Sequence, residues 1–227
     1  MKASPGARSW IAAGVRHELL TRALPALRHH MVAPVSVIRM GLLLLKRQVA
    51  TVPIDADACV QRVAGVDEQV AAVVAGIRSL RDWELSSPGE CITRTALVDQ
   101  CAGLLRTPFE LSGIALRIDD ALHAPADDEP AHPNAAALRY LLLGALSHLH
   151  DCVDGLKAID LEADGPDALR IRATAGGKVD APGAAADAQR APRALAIDTV
   201  ALLSLADDLG YRVAIERGTV RFDLRAA

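Results

Sequence analysis

The chain has 227 residues, of which 51% are apolar and only 3% aromatic, and its formal net charge is −3. That length suits one large domain or two small ones, and the apolar share supports a core built from Leu, Val, Ile and Ala. No cluster of Lys and Arg is present to neutralise a phosphate backbone, which excludes a typical nucleic-acid binder.

The longest apolar run, Met40 to Leu45, falls far short of the ~20 residues that cross a bilayer. The N-terminus has no apolar leader segment. Cys59, Cys91, Cys101 and Cys152 are scattered without a CxxC pair, as in a reducing compartment. These features predict a cytoplasmic protein with no membrane partner.

Residues 1–8 read as a loose tail. A helix is predicted from Ser9 or Trp10 to Val49. Its apolar positions, Leu20, Leu24, Leu27, Met31, Val35, Ile38, Leu42, Leu45 and Val49, recur in steps of three and four. Such steps form the seam of a coiled coil or helical bundle. At about 100° per residue, His29 points away from that seam and shares its face with Ala33, Ser36 and Met40. His30 lies near the seam's flank. Pro34 removes a backbone N–H and is expected to bend the helix close to His29.

After a break at Ala50–Asp55, a second helix is predicted from Asp57 to Leu85, with Asp55 or Asp57 as N-cap. Its seam is Val63, Val66, Val70, Val73, Ile77 and Leu80. Two long helices joined by a short loop make an antiparallel hairpin. A lone hairpin buries one side of each helix, so two copies are expected to close a four-helix bundle as a homodimer.

Ser86-Ser87-Pro88-Gly89 reads as a linker. Beyond it, helices are predicted over Thr95–Leu105, from Asn134 (as cap) to about Gly155, and over Leu195–Leu209. Strands are predicted over Ile114–Ile118, Ala158–Glu162, Ala168–Ala173, Arg212–Glu216 and Val220–Leu224. Asp119–Pro133 and Gly176–Arg193 are expected to be irregular. The fold class is therefore α+β. A helical hairpin over residues 1–86 is followed, over 90–227, by an α/β sandwich of about five strands with helices on one face.

The stretch His29-His30-Met31-Val32-Ala33-Pro34-Val35-Ser36-Val37-Ile38-Arg39 resembles the H-box of bacterial histidine kinases. That pattern runs His, acid, two variable residues, Thr/Asn/Ser, Pro, then Leu or Val. The resemblance places the phosphoacceptor at His29 and the motif's proline at Pro34. His30 stands where the acid belongs, and Ala33 where a polar residue helps hydrolyse the partner's phosphoryl group. His30 is read as structural or docking. Met40 has two readings, a contact for a receiver's docking helix or an isolated exposed methionine.

The element order after the linker resembles the ATP-binding domain of the same kinases, with residues 134–154 as its N-box helix. That domain needs Asn ligands for Mg²⁺ and a DxGxG loop for adenine. Here Gly144 and His148 fall on the two Asn positions, and His suits Mg²⁺ poorly. The loop position reads Ala175-Gly176-Gly177-Lys178, with Asp180-Ala181-Pro182-Gly183 as an incomplete remnant. Arg193-Ala194-Leu195-Ala196, before the last helix, holds no glycine.

The chain thus resembles bacterial histidine phosphotransferases built as degenerate kinases. The resemblance implies that His29 takes a phosphoryl group from a response-regulator receiver and passes it to another. It implies no bound cofactor, Mg²⁺ being supplied by the receiver, and a hybrid histidine kinase as a further partner. Two alternatives stand beside it: a divergent ATP-using sensor kinase, and a non-catalytic pseudokinase that docks on a kinase or regulator. His148, His150 and Cys152 look like a metal cluster, but residues two apart on a helix diverge, so no metal is expected there. Asp207-Asp208 is expected to face solvent, and His123 and His132 are assigned nothing.

Overall fold

A computed structural model describes residues 5–81, 83, 89–123, 129–176 and 195–226. It has a helical N-terminal part followed by a mixed α/β sheet. The expected linker residues 86–88, the loop remnant at residues 177–183 and the residues Arg193 and Ala194 lie outside the described residues.

Helix α1 runs from Pro5 to Val49 and continues through both Pro25 and Pro34. Each proline leaves the carbonyl four residues earlier, at Thr21 and His30, without its helical N–H donor. Lys46 and Arg47 in the last turn oppose the negative end of the helix dipole. Helix α2 spans Ala56–Arg81. Asp55 caps it, accepting the Ala58 N–H at 3.0 Å.

The chain divides into two compact units, Leu24–Glu84 and Met1–Ala23 with Leu85–Ala227. The expected division near the linker is therefore joined by a second one inside α1, just before Pro25. The shorter unit is an antiparallel hairpin. A Cβ on Gly41 would lie 2.8 Å from Val66 Cγ2, and one on Gly76 would lie 3.2 Å from Met31 Cγ. Glycine at these two positions lets the helices approach closely.

In the larger unit, strand β1 (Cys91–Thr93) leads into helix α3 (Arg94–Leu111). Strand β2 (Ala115–Ile118) follows, then β3 (Ala131–Pro133) and helix α4 (Ala135–Cys152). Strands β4 (Leu156–Ala163) and β5 (Ala168–Ala175) come next. Helix α5 (Thr199–Leu209) and strands β6 (Val213–Glu216) and β7 (Thr219–Asp223) complete it.

Among the described residues the main sheet has five strands in the order β2-β4-β5-β7-β6, of which β2 and β4 pair in parallel and the others antiparallel. Its inner face carries Ile159, Leu161, Ile171, Val220 and Phe222, all buried. Its outer face carries charge pairs such as Arg172–Glu162 and Arg117–Asp160. That alternation is the mark of a sheet with one solvated side.

Three sequence expectations are corrected. Asn134 does not cap α4 with its side chain; its backbone is left-handed (φ 62°), and the Ala135 N–H finds Glu90 O instead. Helix α5 begins at Thr199 rather than Leu195, because residues 195–198 are not helical and Asp198, itself extended, is the cap, accepting the Ala201 N–H at 2.8 Å. The predicted loop before α4 contains β3, which pairs with β1 in a separate two-stranded ribbon.

Candidate functional site

His29 is exposed on α1, within the hairpin unit. Ala33 and Pro34 are half-buried, while Ser36 and Met40 are exposed, Met40 at 58%. The Ser36 hydroxyl donates to Val32 O at 3.3 Å, which ties it to its own helix. The His30 side chain lies outside the described residues. His29, Ser36 and Met40 are thus exposed on the helix, as are Val32, Val35 and Val37. Further along, a groove of about 460 Å³ opens between the helices, lined by Ser36, Met40, Gly41, Gly65, Val66 and Gln69 among others.

Sequence reading passed over a second His on α1. His17-Glu18-Leu19-Leu20-Thr21 matches the His-acid-x-x-Thr part of the H-box pattern, with Arg22 where its proline belongs. His17 is exposed, but it belongs to the other unit. Glu18 is ion-paired to Arg22 at 2.9 Å, and Leu19 is buried against the α/β core.

The N-terminal turns of α1 lie along α4 and α5. Ala12, Val15, Leu19 and Ala23 are buried, in steps of three and four. Arg8 pairs with Asp207 at 3.2 Å, and Asp208 accepts from Ser9 and Arg16. Asp207-Asp208 is thus an ion-pair anchor at the C-terminal end of α5, which corrects the expectation that it only faces solvent.

The two positions aligned with Mg²⁺-binding asparagines are both built into this packing. A Cβ on Gly144 would sit 3.1 Å from Leu202 Cδ1 and from Leu205 Cδ2, and 3.7 Å from Leu19 Cδ1. His148 is buried, and its Nδ1 lies 2.8 Å from Ile197 O. A carbonyl only accepts, so this contact makes Nδ1 the protonated nitrogen.

Asp151 forms a hub beside it. It accepts from Arg22 at 2.9 Å, from the Ile197 N–H at 2.8 Å and from His150 Nδ1 at 2.9 Å. Burial alone raises a carboxyl's pKa, yet the hydrogen bonds from His150, Arg22 and Ile197 outweigh it and hold Asp151 at about 2. Arg22 also donates to Leu195 O at 2.7 Å. These contacts pin the chain where it enters α5.

Among the described residues no group of three His, Cys, Asp or Glu is placed to hold a metal. His148 turns toward Ile197, whereas His150 stacks on Phe109 with ring centroids 5.5 Å apart. No described helix is long and apolar enough to cross a membrane.

No family model matches the chain, and no curated protein is similar enough to register as a relative. Among solved structures, it is similar to the histidine kinase AdeS of Acinetobacter baumannii at 13% identity and a TM-score of 0.34. That match covers 86% of this chain and 95% of the AdeS chain in that structure. It is also similar to full-length ShkA in complex with AMPPNP, at 17% identity and a TM-score of 0.36. There the match covers 99% of this chain but 47% of ShkA, so the chain spans about half that protein's length.

Proposed function

We propose that the chain is a homodimeric, cytoplasmic histidine phosphotransfer protein that does not use ATP. His29 takes a phosphoryl group from the aspartyl phosphate of one receiver domain and gives it to the aspartate of another. The observation that carries this reading is the exposed His29 on a long helix, five residues before Pro34 and turned away from the apolar seam. In the step, the unprotonated ring nitrogen attacks phosphorus. The N–P bond forms as the P–O bond to the aspartate breaks, the carboxylate leaves, and the ring's other proton passes to water. Mg²⁺ belongs to the receiver, and no residue of this chain is needed to ligate it.

The packing around Gly144 supports phosphotransfer over an ATP-using kinase. A single methyl group there would already crowd two leucines, so both leucine side chains would have to give way before an asparagine could hold Mg²⁺ and phosphates at this position. The half-open seam supports the dimer: Val63, Ile77 and Val35 stay 53%, 54% and 44% exposed in one chain. A pseudokinase that only docks would use the same hairpin but would carry no phosphoryl group.

Calorimetric titration with Mg²⁺-ATP, run beside incubation with receivers charged by acetyl phosphate, tests the reading. The expected result is no heat from ATP and an acid-labile label from a charged receiver. Autophosphorylation by ATP would replace the reading with a working kinase, and the absence of any label would replace it with a docking module.

A further inference from the structure

His132 is a buried histidine that the proposed phosphotransfer does not use. It lies in β3, directly opposite Ile92 of β1, and is 4% exposed. The ribbon that holds it stands where the chain enters the α/β unit, next to Glu90. Glu90 in turn pairs with the buried Arg139 at 2.8 Å and accepts the first N–H of α4. The ribbon also runs straight into α3. Thr93 is that helix's N-cap, and Glu129 Oε1 accepts from Thr95 N at 2.9 Å and Thr95 Oγ1 at 3.0 Å.

Three buried polar atoms at this place have no hydrogen-bond partner among the described residues: His132 Nε2, Glu129 Oε2 and Arg94 Nε. Among the described residues, four charged groups act on the imidazole: Asp167 before β5, Arg225 after β7, Arg94 on α3 and Glu129 before β3. Asp167 and Arg225 are already joined at 2.7 Å, so their fields largely cancel. Arg94 repels a cation and Glu129 attracts one. Among these four groups the two signs balance, so they offer an added charge little compensation.

A neutral imidazole is tolerated in such a place, and a buried imidazolium is costly. We propose that the β1–β3 ribbon is a pH-sensitive latch: a proton on His132 opens it and loosens the N-terminal cap of α3. Burial holds this imidazole below the ordinary histidine range. The sign follows from that direction. Stability from the neutral ring is complete above the unfolded-state value near 6.5. It is lost as pH falls through that value toward the lower folded-state one.

The test is amide hydrogen exchange of the full-length protein between about pH 7.5 and pH 5.5, corrected for intrinsic chemistry. The latch predicts that opening of residues 91–95 and 131–133 rises steadily toward the acid end. Amides of α4 serve as the internal reference and stay constant. In His132→Gln the acid response disappears. Protection that is independent of pH, or an acid response retained in His132→Gln, overturns the proposal. Should that variant fail to fold, NMR titration of the His132 ring in the unmodified protein decides: a midpoint below the ordinary histidine value supports the latch, and one at or above it overturns it.

Discussion

Asp151 shows how much a single carboxylate can organise. Its ionised form is held by donors from α1, from α4 and from the segment before α5, and its pKa of about 2 lies below the ordinary value of 3.8. A carboxyl depressed on folding contributes stability that is present above about pH 4 and is lost as pH falls from 4 toward 2. Asp151→Asn is therefore predicted to cost about 2 kcal/mol at neutral pH. It should also flatten the acid limb of a urea-melting series over that window. Cys101 gives a second prediction. Burial pushes its thiol up to about 12 despite nearby Arg139, whereas Cys91 and Cys152 are exposed. A thiol reagent should modify Cys91 and Cys152 quickly and Cys101 only after unfolding. At this scale helical spacing gave the position of His29 opposite the seam, while its role as phosphoacceptor rests on the resemblance to the H-box. The Arg22–Asp151 pair was not: its members stand 129 residues apart, and no local pattern joins them.

Among the elements, the contact between α1 and α2 is set by small residues. Gly41 has Val66 Cγ2 within 2.8 Å of where a Cβ would stand, while Gly65 has nothing within 4 Å. Replacing glycine by alanine in a helix gains about 1 kcal/mol of propensity. Forcing a methyl group onto a stiff valine costs about 1–3 kcal/mol. Gly65→Ala should accordingly stabilise the protein by about 1 kcal/mol, and Gly41→Ala should fail to do so or destabilise it, as denaturant melting will show. Gly65→Ala and Gly41→Ala moving the midpoint equally upward would contradict this close approach. The long helices, and the strands expected over Ile114–Ile118, Ala168–Ala173 and Arg212–Glu216, were legible in the sequence, the strands to within two residues of their observed ends. The β1–β3 ribbon was not, since three residues are too few to display alternation. The start of α5 is not legible locally, because tertiary hydrogen bonds with Arg22, His148 and Asp151 hold Leu195 and Ile197 outside the helix.

For the whole molecule, the apolar seam of the hairpin is only partly covered by one chain, and a second copy would bury it. Burying a Val or Ile side chain is worth about 1.5–3 kcal/mol, so a few such positions per chain suffice to drive association. Sedimentation should find a dimer, and Val63→Glu with Ile77→Glu should convert it to a monomer while the α/β unit keeps its melting transition. The division of α1 between two compact units was not visible in its seam, which has only Leu20 and Leu24 before Pro25, whereas the residues buried in that part of the helix are Ala12, Val15, Leu19 and Ala23. The most direct test of the account is the site of the label after exposure to a phosphorylated receiver. Phosphorylation is predicted on His29, lost in His29→Gln, kept in His17→Gln, and transferable to a second, uncharged receiver. A label that persists in His29→Gln, and above all one that vanishes in His17→Gln instead, would contradict the assignment of His29 as the phosphoacceptor.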